Sequence, residues 1–107
     1  MTPDERLDRY ARLAVEVGIN LQPGQFVRIS GDPEHLPLVR AMARIAYENG
    51  ASFVETTYRD AHVKRARILH APEESLDWSP PWSVALVDHL IESGGATIFV
   101  TGDAEPE

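Results

Sequence analysis

Gln25-Phe26-Val27-Arg28-Ile29-Ser30-Gly31-Asp32-Pro33-Glu34 is the stretch that decides the fold. Gln25 to Ser30 is expected to be a strand, with Val27 and Ile29 on one face and Phe26 on the other. Apolar groups on both faces suit a strand covered on both sides, as in parallel sheets. Asp32-Pro33-Glu34 then starts a helix, pairing an acid able to cap with a proline tolerated at the first helical position. A strand running directly into a helix is the unit from which α/β folds are built.

The flanking sequence repeats this alternation. On the amino-terminal side, Thr2-Pro3-Asp4-Glu5 has the form of a capping box. Leu7, Tyr10, Ala11, Ala14 and Val17 recur at helical spacing after it. Gly18 is expected to end that helix in the left-handed conformation, and Asn20 to Gly24 makes a turn on Pro23-Gly24. On the carboxyl-terminal side, the second helix carries Leu36, Val39, Met42, Ala43 and Ala46 as its apolar face and closes at Gly50. Ser52 to Tyr58 has the composition of a second strand. Asp60 caps a third helix that runs to His70 and stops at Ala71-Pro72. Glu73 to Pro81 connects, with at most one helical turn. Pro80-Pro81 restarts a helix with Val84, Val87, Leu90 and Ile91 as its apolar positions, ended by Gly94-Gly95. Ala96 to Thr101 is a third strand, with Ile98 and Val100 opposite Phe99, and Gly102 to Glu107 is a polar tail.

The order α-β-α-β-α-α-β predicts a three-stranded parallel sheet with helices on both faces, in one domain covering 1–107. So small a sheet leaves its edges unpaired, which points to further chain or a partner subunit covering them. Composition agrees with a globular domain: the 107 residues are 43% apolar and 25% charged. There is no cysteine, so disulfides and thiolate chemistry are excluded. Ten basic against seventeen acidic residues give a net charge of −7, which argues against nucleic acid as a partner. The basic group Arg59, Lys64, Arg65 and Arg67 is expected to be a solvated helix face. The amino terminus has acids where a secretory signal has bases, and no apolar run is long enough to span a membrane. A cytoplasmic location is the expectation.

Catalytic signatures are scarce. The Ser30-Gly31-Asp32-Pro33-Glu34 turn lacks the glycines that let backbone amides surround a phosphate. The acids at its helix start are assigned to capping. His35, His62, His70 and His89 form no His-Glu-x-x-His pair. His89 and Glu92 are two possible ligands where a zinc site needs three or four. No serine or threonine stands in a nucleophile motif. Glu55 lies inside a strand and would need a cation such as Arg28 if it points inward. Structural pairing or a site at the sheet both remain open for it. Trp78 and Trp82 flank Ser79-Pro80-Pro81, either as packing anchors, the preferred reading, or as the walls of a peptide groove.

Three segments carry a likeness to a known family: Leu7-Asp8-Arg9-Tyr10-Ala11-Arg12-Leu13-Ala14-Val15-Glu16-Val17-Gly18, Asn20-Leu21-Gln22-Pro23-Gly24-Gln25, and Leu38-Val39-Arg40 with Ala46-Tyr47-Glu48-Asn49-Gly50-Ala51. They resemble the amino terminus of the thermophilic metalloaminopeptidases, of the aminopeptidase T and aminopeptidase S type. Arg65-Ala66-Arg67, His70-Ala71-Pro72-Glu73-Glu74, Gly94-Gly95-Ala96 and Thr101-Gly102-Asp103 continue the likeness. The resemblance implies a two-part, dimeric, cytoplasmic exopeptidase that removes amino-terminal residues from peptides. It implies two divalent metal ions, zinc, cobalt or similar, which activate a water and polarise the scissile carbonyl. Their ligands belong to a later catalytic domain, so no catalytic, cofactor-binding or metal residue is assigned between Met1 and Glu107. This chain alone is expected to be inactive, with its own carboxyl-terminal catalytic domain as its partner. The alternative is a free-standing α/β binding or regulatory module without enzymatic activity.

Overall fold

The computed structural model describes residues 2–101. The tail read from Gly102 to Glu107 lies outside the described residues. Its elements are α1 (Pro3–Leu13), β1 (Phe26–Gly31), α2 (Leu36–Glu48), β2 (Phe53–Tyr58), α3 (Ala61–His70), α4 (Pro81–Ser93) and β3 (Ala96–Phe99). The three strands are parallel, in the order β2-β1-β3. The expected α/β sheet is therefore present, and β1 is its centre.

Register divides the sheet into two unequal faces. Val27 pairs with Val54 and Ala96, and Ile29 with Thr56 and Ile98, so these side chains share one face. α2 lies on that face, where Val39 approaches Gly31. α1 packs beside α2, and together they enclose Ala11, Val15, Val27, Ile29, Met42 and Ile45. The opposite face carries Phe26, Arg28, Ser30, Glu55 and Thr57, and α4 crosses it with His89 edge-on to Phe26 at 4.9 Å. Helices thus lie on both faces. Strand order explains why: the chain leaves β1 in one direction to form β2 and returns past it to form β3. A right-handed crossover must then change face.

Local chemistry explains most element boundaries. Thr2 Oγ1 accepts from the Glu5 amide at 3.1 Å, the first half of a capping box, and donates to Glu5 Oε1 at 3.1 Å, so Glu5 reaches back to the Thr2 hydroxyl. Asp60 Oδ1 accepts from the His62 amide at 2.9 Å. Gly94 ends α4 at φ 68. Charges join α1 to α2: Arg12 contacts Glu16 at 3.1 Å and Glu48 at 3.5 Å, and Arg44 contacts Asp8 and, at 2.8 Å, Glu48. These bonds hold both guanidiniums more firmly protonated than usual, chiefly through Glu16 for Arg12 and Asp8 for Arg44.

Four local expectations are corrected. Gly18 is not left-handed; α1 continues through a π turn over Ala14–Gly18, and the positive φ falls on Asn20, at 48. Asparagine tolerates that region because its side chain is short and polar. Tyr10 and Val17 are exposed, and the buried face of α1 is Ala11 and Val15. Asp32 makes no side-chain cap; Pro33–His35 is a 3-10 turn, and α2 begins at Leu36. On α4, Val84, Val87 and Ile91 are exposed, while Leu90 is half-buried near Gly95.

Candidate functional site

Reversal of winding direction at β1 puts the crevice of the sheet at the carboxyl ends of β1 and β3, the usual ligand position in open α/β sheets. The ends are tied together by the backbone. Val100 N donates to Ser30 O at 2.7 Å, and Arg59 N donates to Gly31 O at 2.8 Å. The Arg59 side chain then crosses the strand ends, with Nη2 3.4 Å from Val100 O and Nε 3.8 Å from Asp32 Oδ1. Beside it, an apolar groove of about 700 Å³ runs between α1 and β3, walled by Leu7, Tyr10, Leu38, Met42, Phe99 and Val100.

Asp32, Glu34 and His35 follow the carboxyl end of β1, with one ligand atom of each within 4.8 Å of the others, and His35 also lines the groove. Their proximity follows from the 3-10 turn over Pro33–His35, which brings Glu34 and His35 back beside Asp32. His35 Nδ1 is buried without a hydrogen-bond partner, 3.9 Å from Asp32 Oδ2. That distance exceeds a hydrogen bond. Sequence reasoning did not gather this trio, because it assigned Asp32 and Glu34 to capping. The signal available was their position directly after the central strand. Three donors from one turn can contact one cation. They do not fit a two-ion centre, which needs ligands on both sides of each ion, and Asp32 also faces the cationic Arg59.

The remaining sequence candidates disperse. His89 packs on Phe26, and it belongs to no cluster of three metal donors among the described residues. Arg28 and Glu55 stand opposite one another in register, as anticipated, and both line a slot beneath α4. No ion pair joins them among the described residues. Arg28 Nε and Thr57 Oγ1 are buried there without hydrogen-bond partners, and the guanidinium lies 6.0 Å from the Phe99 ring centroid. Trp78 and Trp82 meet edge to face at 6.1 Å but stay 57% and 70% exposed. They therefore pack on one another at the entry to α4, while the expectation that such packing would bury them is corrected. The basic group also separates: Lys64 and Arg65 are exposed, whereas Arg67 donates to the carbonyls of Ser75, Leu76 and Trp78.

A doubly wound α/β domain with a crevice at its winding reversal, lacking a complete two-metal donor set among the described residues, is the class these features define. Residues 3–107 match the family model described as thermophilic metalloprotease (M29), and the chain belongs to that family. Aminopeptidase 2 of Geobacillus stearothermophilus is 38% identical over 97 residues, which are 91% of this chain and 24% of that protein. Aminopeptidase T of Thermus aquaticus is 36% identical over 99 residues, 92% of this chain and 24% of that protein. The solved structure of wild-type AmpT from Thermus thermophilus superposes with a TM-score of 0.83 at 35% identity, covering 95% of this chain and 26% of that one. The chain spans about a quarter of the length of these relatives.

Proposed function

We propose that this chain is the amino-terminal, non-catalytic domain of a metal-dependent aminopeptidase that removes amino-terminal residues from peptides. The observation that carries this reading is a match along nearly the whole chain to only about a quarter of proteins named aminopeptidases. A metalloprotease family implies a divalent metal in the whole enzyme. The further particulars are two ions of the zinc or cobalt type, ligated outside these residues, and a cytoplasmic dimer. In support, the Asp32-Glu34-His35 trio is too small a donor set for a two-metal centre. No helix among the described residues is long and apolar enough to cross a membrane. The role of this domain is to wall or orient the catalytic part, not to perform proton or acyl transfer.

A fluorogenic aminoacyl substrate, supplied with cobalt or zinc, tests the proposal. The 107-residue chain is expected to show no turnover above the metal-only blank, and the full-length protein is expected to hydrolyse the substrate. Metal-dependent hydrolysis by the 107 residues alone would overturn the non-catalytic assignment.

A further inference from the structure

α3 and α4 form an arm that buries none of its own residues. The arm is nevertheless rich in large apolar side chains. Val63, Ile68, Leu69, Val84, Val87 and Ile91 are between 45% and 74% exposed. On α4 the pattern has two sides. Leu86 and Leu90 are half-buried on the side turned to the sheet and Val87 borders the slot there, whereas Val84 and Ile91, seven residues apart, lie on the other side. A helix apolar on both sides is one built to be buried on both sides. Only one side is covered here.

The shape of the molecule agrees. Its radius of gyration is 15.8 Å and its thinnest extent 16 Å, whereas a compact domain of this length has a radius of gyration of about 13 Å. This arrangement is not peculiar to a short chain. Wild-type AmpT from Thermus thermophilus shares it at a TM-score of 0.83 over 95% of this chain. Coverage that high cannot leave out an arm running from Ala61 to Ser93. In that protein the matched region is 26% of the chain, so the same course of the backbone recurs where much more polypeptide is available to cover the arm. Apolar patches this extensive mark contact surfaces.

We propose that α3 and α4 dock, through the exposed apolar side chains Val63, Ile68 and Leu69 and Val84, Val87 and Ile91, against the remaining polypeptide of the full-length aminopeptidase. The occupant is an apolar surface of the same chain. The inference rests on the proposed function, in that it takes this chain to be one domain of a longer enzyme.

Hydrogen–deuterium exchange on the full-length protein and on the 107-residue chain tests it. Amides of Ala61–Ser93 are expected to exchange about tenfold or more slowly in the full-length protein, with β1 protected alike in both. The double substitution Val84→Glu and Ile91→Glu is expected to erase that added protection while leaving the melting temperature of the 107-residue chain unchanged. Equal exchange of the arm in both proteins would overturn the proposal. So would protection in the short chain that grows with its concentration, since a second copy would then be the occupant. Turnover of an aminoacyl substrate by the same full-length sample keeps the two readings apart. An active protein with an unprotected arm sinks the docking surface alone, whereas an inactive protein with a protected arm sinks the aminopeptidase reading alone.

Discussion

At the scale of single residues, the entry to β3 is held by a close approach that leaves no room for added atoms. A Cβ on Gly95 would stand 2.9 Å from Phe26 O and 3.0 Å from Leu90 Cδ2. The carbonyl belongs to the central strand and cannot rotate away. Gly95→Ala is therefore expected to cost about 1–3 kcal/mol through overpacking, measured as a shift in the urea midpoint. An unchanged midpoint would mean that α4 and β3 are free to separate. Ile29 is the opposite case, fully buried on the covered face between Thr56 and Ile98. Ile29→Ala should cost about 2–5 kcal/mol, a large share of the 5–15 kcal/mol typical of whole domains. The contrast between the two faces was only partly legible. Val27 and Ile29 stood out by alternation, but Arg28 and Glu55 gave no hint that they would face one slot without pairing. Register is a long-range property, and sequence spacing within one strand does not encode it.

At the scale of elements, boundaries were legible wherever a side chain could satisfy the helix end from nearby. Thr2 with Glu5, Asp60 and Gly94 all behave as read. Asp32 did not, because Pro33 opens a 3-10 turn and the carboxylate lies toward Arg59 and His35 instead. Periodicity also failed where no partner was at hand. α4 carries its apolar positions as expected, yet spacing reports only that a face is apolar, not that anything covers it. α3 makes the consequence measurable. It has no buried residue, so its order depends on the Asp60 cap and on Arg67, whose Nη2 lies 3.1 Å from Ser75 O and from Trp78 O. Asp60→Ala should weaken α3 by about 1 kcal/mol. Exchange of the α3 amides should quicken severalfold, and the global melting temperature should hardly move. A large global loss would instead show that the arm is folded cooperatively with the sheet.

At the scale of the whole molecule, the uneven distribution of burial and charge sets what the chain can bind. Both the family and the crevice were approached from sequence, the first by ordered segments and the second only as a turn without a phosphate signature. The Asp32-Glu34-His35 trio escaped because its proximity is created by a three-residue turn that the capping rule assigned to other work. With those donors known, the behaviour of the chain toward metal follows from linkage. A site with a micromolar dissociation constant, held at a hundredfold excess of free zinc, would stabilise the fold by about 2.7 kcal/mol. For a domain near 100 residues that is roughly 10 °C or more in melting temperature. The three donors come from one short turn, and Asp32 is shared with the Arg59 guanidinium, whose positive charge opposes a cation there and holds the affinity below that level. Zinc or cobalt at about 100 μM, a hundredfold excess over such a constant, should therefore leave the melting temperature of the 107-residue chain within about 2 °C of its metal-free value, equivalent to well under 1 kcal/mol. A saturable rise of the larger size, lost in Asp32→Asn and in His35→Ala alike, would place a metal site in this domain. The division of labour proposed for the full-length enzyme would then have to be redrawn.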